Sequence, residues 1–189
     1  NILFTIATSI FMTMGGIAQI NFEYVYNSGH NDQARAITQT YDNGYAVIGS
    51  TVNHVGNTDV YLFKTNELGI LQWAKRFGSY GNDWGMDIIE TQDSGLAIVG
   101  YGFFDGSYQV YFIKTNSMGD TLFTKTMGGT DWDFGNSLKQ TPDGGYILAG
   151  ESYRNGNGQG YLLKLDAAGN TSWEKYFGGT NNDKFEDII

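Results

Sequence analysis

The sequence states one phrase three times. QTYDNGYAVIG begins at Gln39, ETQDSGLAIVG at Glu90 and QTPDGGYILAG at Gln140. A second phrase follows each: YLFKTNELGILQWAKRFG from Tyr61, YFIKTNSMGDTLFTKTMGG from Tyr111 and YLLKLDAAGNTSWEKYFGG from Tyr161. The three tyrosines stand 50 residues apart. Such a period constrains the fold before any single residue is interpreted, because each copy is one supersecondary unit that needs neighbours to bury its faces.

Each copy divides into four strands. The first spans residues 33–40, 84–91 and 134–141 and carries small residues at Ala34, Gly85 and Gly135, then at Ala36 and Ser137. Small side chains on one strand of every copy are expected where strands converge on a crowded axis. A tight turn follows, written Thr141-Pro142-Asp143-Gly144-Gly145 in the third copy. Proline there suits φ near about −65° and glycine a positive φ. The second strand is a dense apolar run closed by Gly49, Gly100 or Gly150. A polar loop comes next and differs in every copy, over residues 53–59, 103–109 and 153–159. Repeat proteins tolerate change in such loops and often bind through them.

The third strand is again apolar and ends at Lys64, Lys114 or Lys164. Strands apolar on both faces must be covered on both sides. A hairpin turn opens at Asn66, Asn116 or Asp166 and closes at Gly69, Gly119 or Gly169, the pattern of a type I turn with glycine left-handed. The fourth strand alternates: Trp73, Lys75 and Phe77 share one face, and Gln72, Ala74 and Arg76 take the other, as on a charged outer edge. No stretch keeps a helical period. Four antiparallel strands per repeat of about 50 residues predict an all-β fold, a β-propeller. A parallel β-helix needs a shorter repeat, and a β-sandwich does not repeat its own sequence.

Composition agrees. With 27 glycines, 1 proline and 15% aromatic residues, the chain suits many short strands with tight turns and not disorder. The net charge is −9, and no basic cluster occurs, so nucleic acid is not an expected partner. An anionic membrane surface is disfavoured likewise. Cysteine is absent, which excludes disulfides, thiolate metal sites and a lipoprotein anchor.

Residues 1–18 contain an uncharged, largely apolar run ending Gly16-Ile17-Ala18, which reads as a signal peptide cleaved before Gln19. The expected location is therefore secreted, extracellular or on the outer cell surface, with no membrane insertion after cleavage. Residues 20–27 align with the end of a repeat, Phe22 standing where Trp73 stands and Tyr26 where Phe77 stands. The expected organisation is a partial blade at 19–31, blades at 32–81, 82–131 and 132–181, and the start of another at 182–189. Three whole blades cannot close a ring of about 4 to 8. The expectation is a fragment of a longer chain, with further blades of that chain as its neighbours.

The pattern Q-T-x-D-x-G-Y, then Y-L-x-K, G-x-x-x-W-x-K and G-G-T-x-x-D resembles the propeller repeats of secreted proteins in Bacteroidetes-type bacteria. Such proteins often end in a sorting domain for the type IX secretion route, and no such domain lies in this sequence. The resemblance covers residues 22–189 and implies a repeat scaffold without implying an activity. Kelch repeats place a double glycine after the second strand, where this chain has single ones. The Gly69 to Trp73 spacing resembles a quinoprotein turn but is one residue shorter, and the middle copy has Phe123.

Four sets of side chains are candidates for chemistry. The aspartates Asp32, Asp83, Asp133 and Asp183 precede the first strand of each copy. They could ring the axis as oxygen ligands for Ca²⁺, with Asp83, Asp131 and Asp133 the strongest metal candidates, or accept backbone N–H bonds in the connection. The lysine series Lys64, Lys114 and Lys164 reads as stems laid along apolar surface with heads in water or paired to an acid, and Lys75, Lys125 and Lys175 read likewise. Trp73, Phe123 and Trp173 read as packing between blades. Aromatics outside the repeat pattern point to ligand contact: Phe103, Phe104, Tyr108 and Tyr153 in the variable loops, with Trp84 and Trp132. His30 and His54 have no companion nucleophile, and no catalytic motif is present. The expected function is a non-catalytic scaffold or binding module for protein or carbohydrate, without a cofactor unless Ca²⁺. The alternatives are a glycan-active or quinoprotein-like enzyme domain and an adhesin stalk.

Overall fold

The structure is a computed structural model describing residues 2–9, 19–26, 28–154 and 156–189. Among these it is all-β. Strands β1 (Ile2–Ser9) and β2 (Gln19–Tyr26) pair antiparallel as a two-stranded sheet. The expected cleavage site at Gly16, Ile17 and Ala18 lies outside the described residues.

Three four-stranded antiparallel sheets follow, one per sequence repeat and each in chain order. The first holds β3 (Asp32–Gln39), β4 (Tyr45–Val52), β5 (Thr58–Thr65) and β6 (Leu71–Phe77). The second holds β7 (Asp83–Glu90), β8 (Leu96–Phe104), β9 (Ser107–Thr115) and β10 (Thr121–Met127). The third holds β11 (Asp133–Gln140), β12 (Tyr146–Arg154), β13 (Asn157–Leu165) and β14 (Thr171–Phe177). The first strand of each sheet begins and ends one residue earlier than the sequence predicts. Asp32 already pairs with Thr51, and Thr40 has left the strand to donate its amide to the Gly44 carbonyl in the turn.

The sheets stack face to face, and strand alternation divides their residues between successive cores. On β8, Leu96 and Ile98 point into the core shared with the first sheet, while Ala97 and Val99 point into the core shared with the third. On β9, Tyr111 and Ile113 go one way and Val110 and Phe112 the other. That is why these runs are apolar at every position instead of every second one. On the outer face of the first sheet, Val47, Tyr61 and Phe63 meet Tyr26, whose ring lies 4.7 Å from that of Phe63.

The first strands are where the sheets come closest. Each carries a bulge, at Arg35, Met86 and Asn136, between paired residues Ala34/Ala36, Gly85/Asp87 and Gly135/Ser137. The bulge drives a carbonyl toward the second strand, and there the closing glycine sits. A Cβ on Gly49, Gly100 or Gly150 would stand 1.8–1.9 Å from the carbonyl oxygen of Gln33, Trp84 or Phe134. The small residues of the first strand meet the preceding sheet instead. A Cβ on Gly85 would stand 2.5 Å from Ile48, and one on Gly135 would stand 2.5 Å from Val99. Asp87 ties these strands together, accepting from the Ser137 hydroxyl at 2.9 Å and the Leu138 amide at 3.0 Å.

Fourth-strand aromatics also pack between sheets. The indole of Trp73 covers Gly119 and the ring of Phe123 covers Gly169, leaving no room for a side chain at either glycine. Lys75 and Lys125 reach the same two turns, at Asp120 (2.9 Å) and Asn170 (3.0 Å).

Gly100→Ala is expected to lower stability by about 1–3 kcal/mol, because the backbone must move to admit the methyl. Gly129→Ala, with no atom within 4 Å of the added carbon, is expected to leave the urea midpoint unchanged. Equilibrium unfolding of the two variants checks the pair.

Candidate functional site

Antiparallel order places two kinds of connection at opposite ends of each sheet. The tight turns lie at one end. The variable loops and the connections between sheets lie at the other.

At the tight-turn end, each copy builds the same polar clamp. Lys64, Lys114 and Lys164 reach Asp42, Asp93 and Asp143 at 2.6, 3.0 and 3.0 Å. The lysine side chains are 7%, 5% and 16% exposed, while the aspartates are more than half exposed. Each aspartate also accepts from the threonine two residues before it and from the amide of the glycine two residues after it. Burial works against the Asp42 carboxylate, but the Lys64 and Thr40 hydrogen bonds prevail and hold its pKa near 2. The Thr141 hydroxyl, then Lys164, hold Asp143 equally low. Thr-x-Asp-x-Gly and the distant lysine are thus one structural unit. The head of each lysine is paired to an acid, one of the two placements that the sequence leaves open.

The aspartates at the start of β3, β7 and β11 do a second repeated job. The carboxylate of Asp32, Asp83 or Asp133 accepts the amide of Ser28, Ser79 or Gly129, four residues earlier, at 2.6–2.8 Å. Asp183 does the same with Gly179 at 2.9 Å. Burial raises the pKa of Asp83 and Asp133 despite these bonds. Asp83 and Asp133 head different sheets, and Asp131 is exposed. Among the described residues no three Asp, Glu or His side chains converge as a metal-binding group. A small cavity of about 240 Å³ does hold Asp131 and Asp133, with the cation of Arg154 on its wall.

The loop end carries the feature that is not repeated. Seven aromatic rings form one connected patch across the second and third sheets. Trp84 lies 5.0 Å from its cross-strand partner Tyr101, which meets Phe134 of the next sheet edge-on at 4.9 Å. Tyr108 sits at the centre, 5.3 Å from Phe103, 5.6 Å from Trp132 and 5.8 Å from Phe134. Tyr153 closes the patch, 6.2 Å from Trp132. Trp132 is 51% exposed and Phe103 41%, so the outer rings face solvent over a half-buried base. A shallow cavity of about 330 Å³ opens beside Tyr101, Trp132, Phe134 and Tyr153, edged by Asn136 and Glu151.

Of the aromatic residues singled out from sequence, Phe103, Tyr108, Trp132 and Tyr153 come together, and Trp84 joins them. Phe104 does not. Its ring turns inward against Tyr111, 5.1 Å away, and packs on the core between the first two sheets, because neighbouring residues of a strand face opposite ways. Tyr101 and Phe134 were missed. Phe134 occupies the repeat position of Trp84, and Tyr101 is directly opposite Trp84, so strand pairing would have found both. His30 and His54 are both exposed.

The fold and the repeat define a class, an all-β repeat protein of blade-like four-stranded sheets. Compared with known proteins, the chain matches no family model and no curated protein at significant similarity.

The clamp is lopsided, with a buried cation and an exposed acid, so its two halves respond differently to mutation. Asp93→Ala strands the Lys114 ammonium and is expected to cost about 3 kcal/mol. Lys114→Met leaves Asp93 in water and is expected to cost less than about 1 kcal/mol. Urea titration of both variants at neutral pH checks the order.

The clamp also fixes an acid limb. The depressed Asp42 and Asp143 contribute stability that is present above the unfolded carboxylate pKa of about 3.9 and lost as pH falls toward 2. The raised Asp83 and Asp133 act with the opposite sign, taking up protons in the folded state above about 3.9 and so offsetting any loss there. Stability is expected to fall mainly between about pH 4 and pH 2, followed by thermal melts across that range.

Proposed function

We propose that the chain belongs to a β-propeller that acts as a non-catalytic binding module outside the cell or on its surface, and that it takes carbohydrate on the aromatic patch at the loop end. Stacked four-stranded sheets whose crowded first strands carry Ala34, Gly85 and Gly135 support the propeller. The resemblance of the repeats to those of secreted bacterial proteins supports the location.

The observation that carries the ligand class is the patch itself. Tyr101, Tyr108 and Trp132 stand where the other copies carry no aromatic residue, so packing of the repeat does not require them. A sugar ring presents apolar C–H faces that lie on aromatic rings, and hydroxyls that bond to polar groups at the rim. Trp132 and Phe103 offer the exposed apolar faces. Asn136 and Glu151 on one side and Asp131 and Arg154 on the other offer the rim. A large exposed aromatic cluster with a polar border marks a binding surface on a soluble protein.

Affinity electrophoresis against a panel of soluble β-glucan, xylan and mannan tests this. At least one is expected to retard the protein, with Trp132→Ala weakening retention about tenfold. Retention by none of them, or equal retention of Trp132→Ala and the parent, overturns the carbohydrate reading and leaves a protein contact as the use of the patch.

A further inference from the structure

The interface between the first two sheets differs from the next one at the buried position that opens the second strand, where an aromatic ring is replaced by an aliphatic side chain. The second strand opens with Tyr45 in the first copy and Tyr146 in the third, but with Leu96 in the second. At the second interface Tyr146 fills the space beside the preceding clamp. It is 2% exposed, its ring lies 4.9 Å from Phe112, and its hydroxyl is pushed up to about 12 by burial and by the nearby charge of Asp93. Leu96 cannot reach the equivalent Asp42. A cavity of about 530 Å³ opens there, between the first and second sheets at the tight-turn end.

Its walls are polar as well as apolar. Leu96 and the indole of Trp73 form the apolar part, with Asp42, Lys64, Gln72 and Glu90 around them. Several of these depart from the copies in the same direction. Glu90 stands where the third copy has Gln140, and Gln72 where the second has Leu122. Three changes at one place thus open space, add a hydrogen-bonding amide and add a carboxylate.

The charges set what fits. Lys64 is committed to Asp42, with contacts of 2.6 and 2.9 Å to its two oxygens, and also holds the Gln72 carbonyl at 3.2 Å. Glu90 accepts the Tyr41 amide on one oxygen at 2.5 Å, and its other oxygen has no hydrogen-bond partner among the described residues. The surplus is one negative charge, half-buried, near an aromatic wall. Burial, more than the neighbouring Asp42, raises the pKa of Glu90, as expected of a carboxylate without its own cation. The volume falls within the range of small-molecule sites, about 300–1,000 Å³.

We propose that this cavity is a binding site for a small hydroxylated amine of amino-sugar size. The ammonium would pair with Glu90, a hydroxyl would bond Gln72, and the apolar face of the ligand would meet Trp73. The site is separate from the aromatic patch, which lies at the opposite end of the sheets.

Calorimetric titration with glucosamine, and with glucose as the uncharged comparison, tests it. Glucosamine is expected to bind and glucose to bind at least tenfold more weakly. Leu96→Tyr restores the residue of the other copies, is expected to stay folded by circular dichroism, and should abolish glucosamine binding. Glu90→Gln should remove the preference for the amine. Trp132→Ala should leave glucosamine binding intact, which separates this site from the patch. Absence of glucosamine binding by the parent protein, or unchanged binding by a folded Leu96→Tyr, overturns the proposal. If Leu96→Tyr does not fold, Glu90→Gln decides alone, and an unchanged preference for the amine overturns the proposal.

Discussion

Everything in this structure depends on how closely the first strand of one sheet approaches the sheet before it. Gly85 lies against Ile48, and Gly135 against Val99, at separations that exclude a side chain. The approach is possible because Gly100 and Gly150 also make room, within their own sheets, for the bulged carbonyl of the first strand. With the first strands held this close, side chains of the second and third strands of neighbouring sheets reach one another. Their side chains then enclose continuous cores between the sheets. A methyl group at Gly100 or Gly150 would meet backbone atoms, which cannot rotate away, and one at Gly85 or Gly135 would meet the close-packed side chain of Ile48 or Val99.

The two ends of the sheets are specialised by the same geometry. Tight turns permit few sequences, and the lysine clamp uses that restriction to bury a cation with its hydrogen bonds satisfied. Carbonyl oxygens of Thr65, Thr115 and Leu165 complete the shell of each ammonium. A cation so enclosed is tolerable only with its acid in place, which explains why lysine and aspartate recur together some 21 or 22 residues apart. The loop end carries no such obligation, and there the chain collects Tyr108, Trp132 and Tyr153 into a solvent-facing patch. The cavity beside Leu96 belongs to neither rule, since it arises where a buried position of the repeat itself was altered.

Much of this was legible from the periodicity. The four strands, their antiparallel order, both turn types, the doubly buried second and third strands and the polar outer face of the fourth all follow from spacing and alternation. Asn66, Asn116 and Asp166 accept the turn amides and Gly69, Gly119 and Gly169 are left-handed, as their positions require. The lysine partners were legible in kind but not in name, because Asp42 and Lys64 are joined by strand pairing and not by sequence proximity. The inward turn of Phe104 was not legible, because loop membership says nothing about which face a strand residue takes once the strands extend into the loop.

The sequence by itself determined the unit: four strands, two tight turns and the residues that let sheets pack. It could do so because those requirements are local or recur at a fixed period, so three copies express them together. Only the tertiary structure decided which non-repeated residues meet. Trp84 and Tyr101 face each other across one sheet, and Phe134 joins them from the next. The missing ring at Leu96 becomes a cavity only because Asp42, Trp73 and Glu90 arrive from three different strands and turns. Such contacts depend on register and on the stacking of sheets, which the order of residues along the chain does not display.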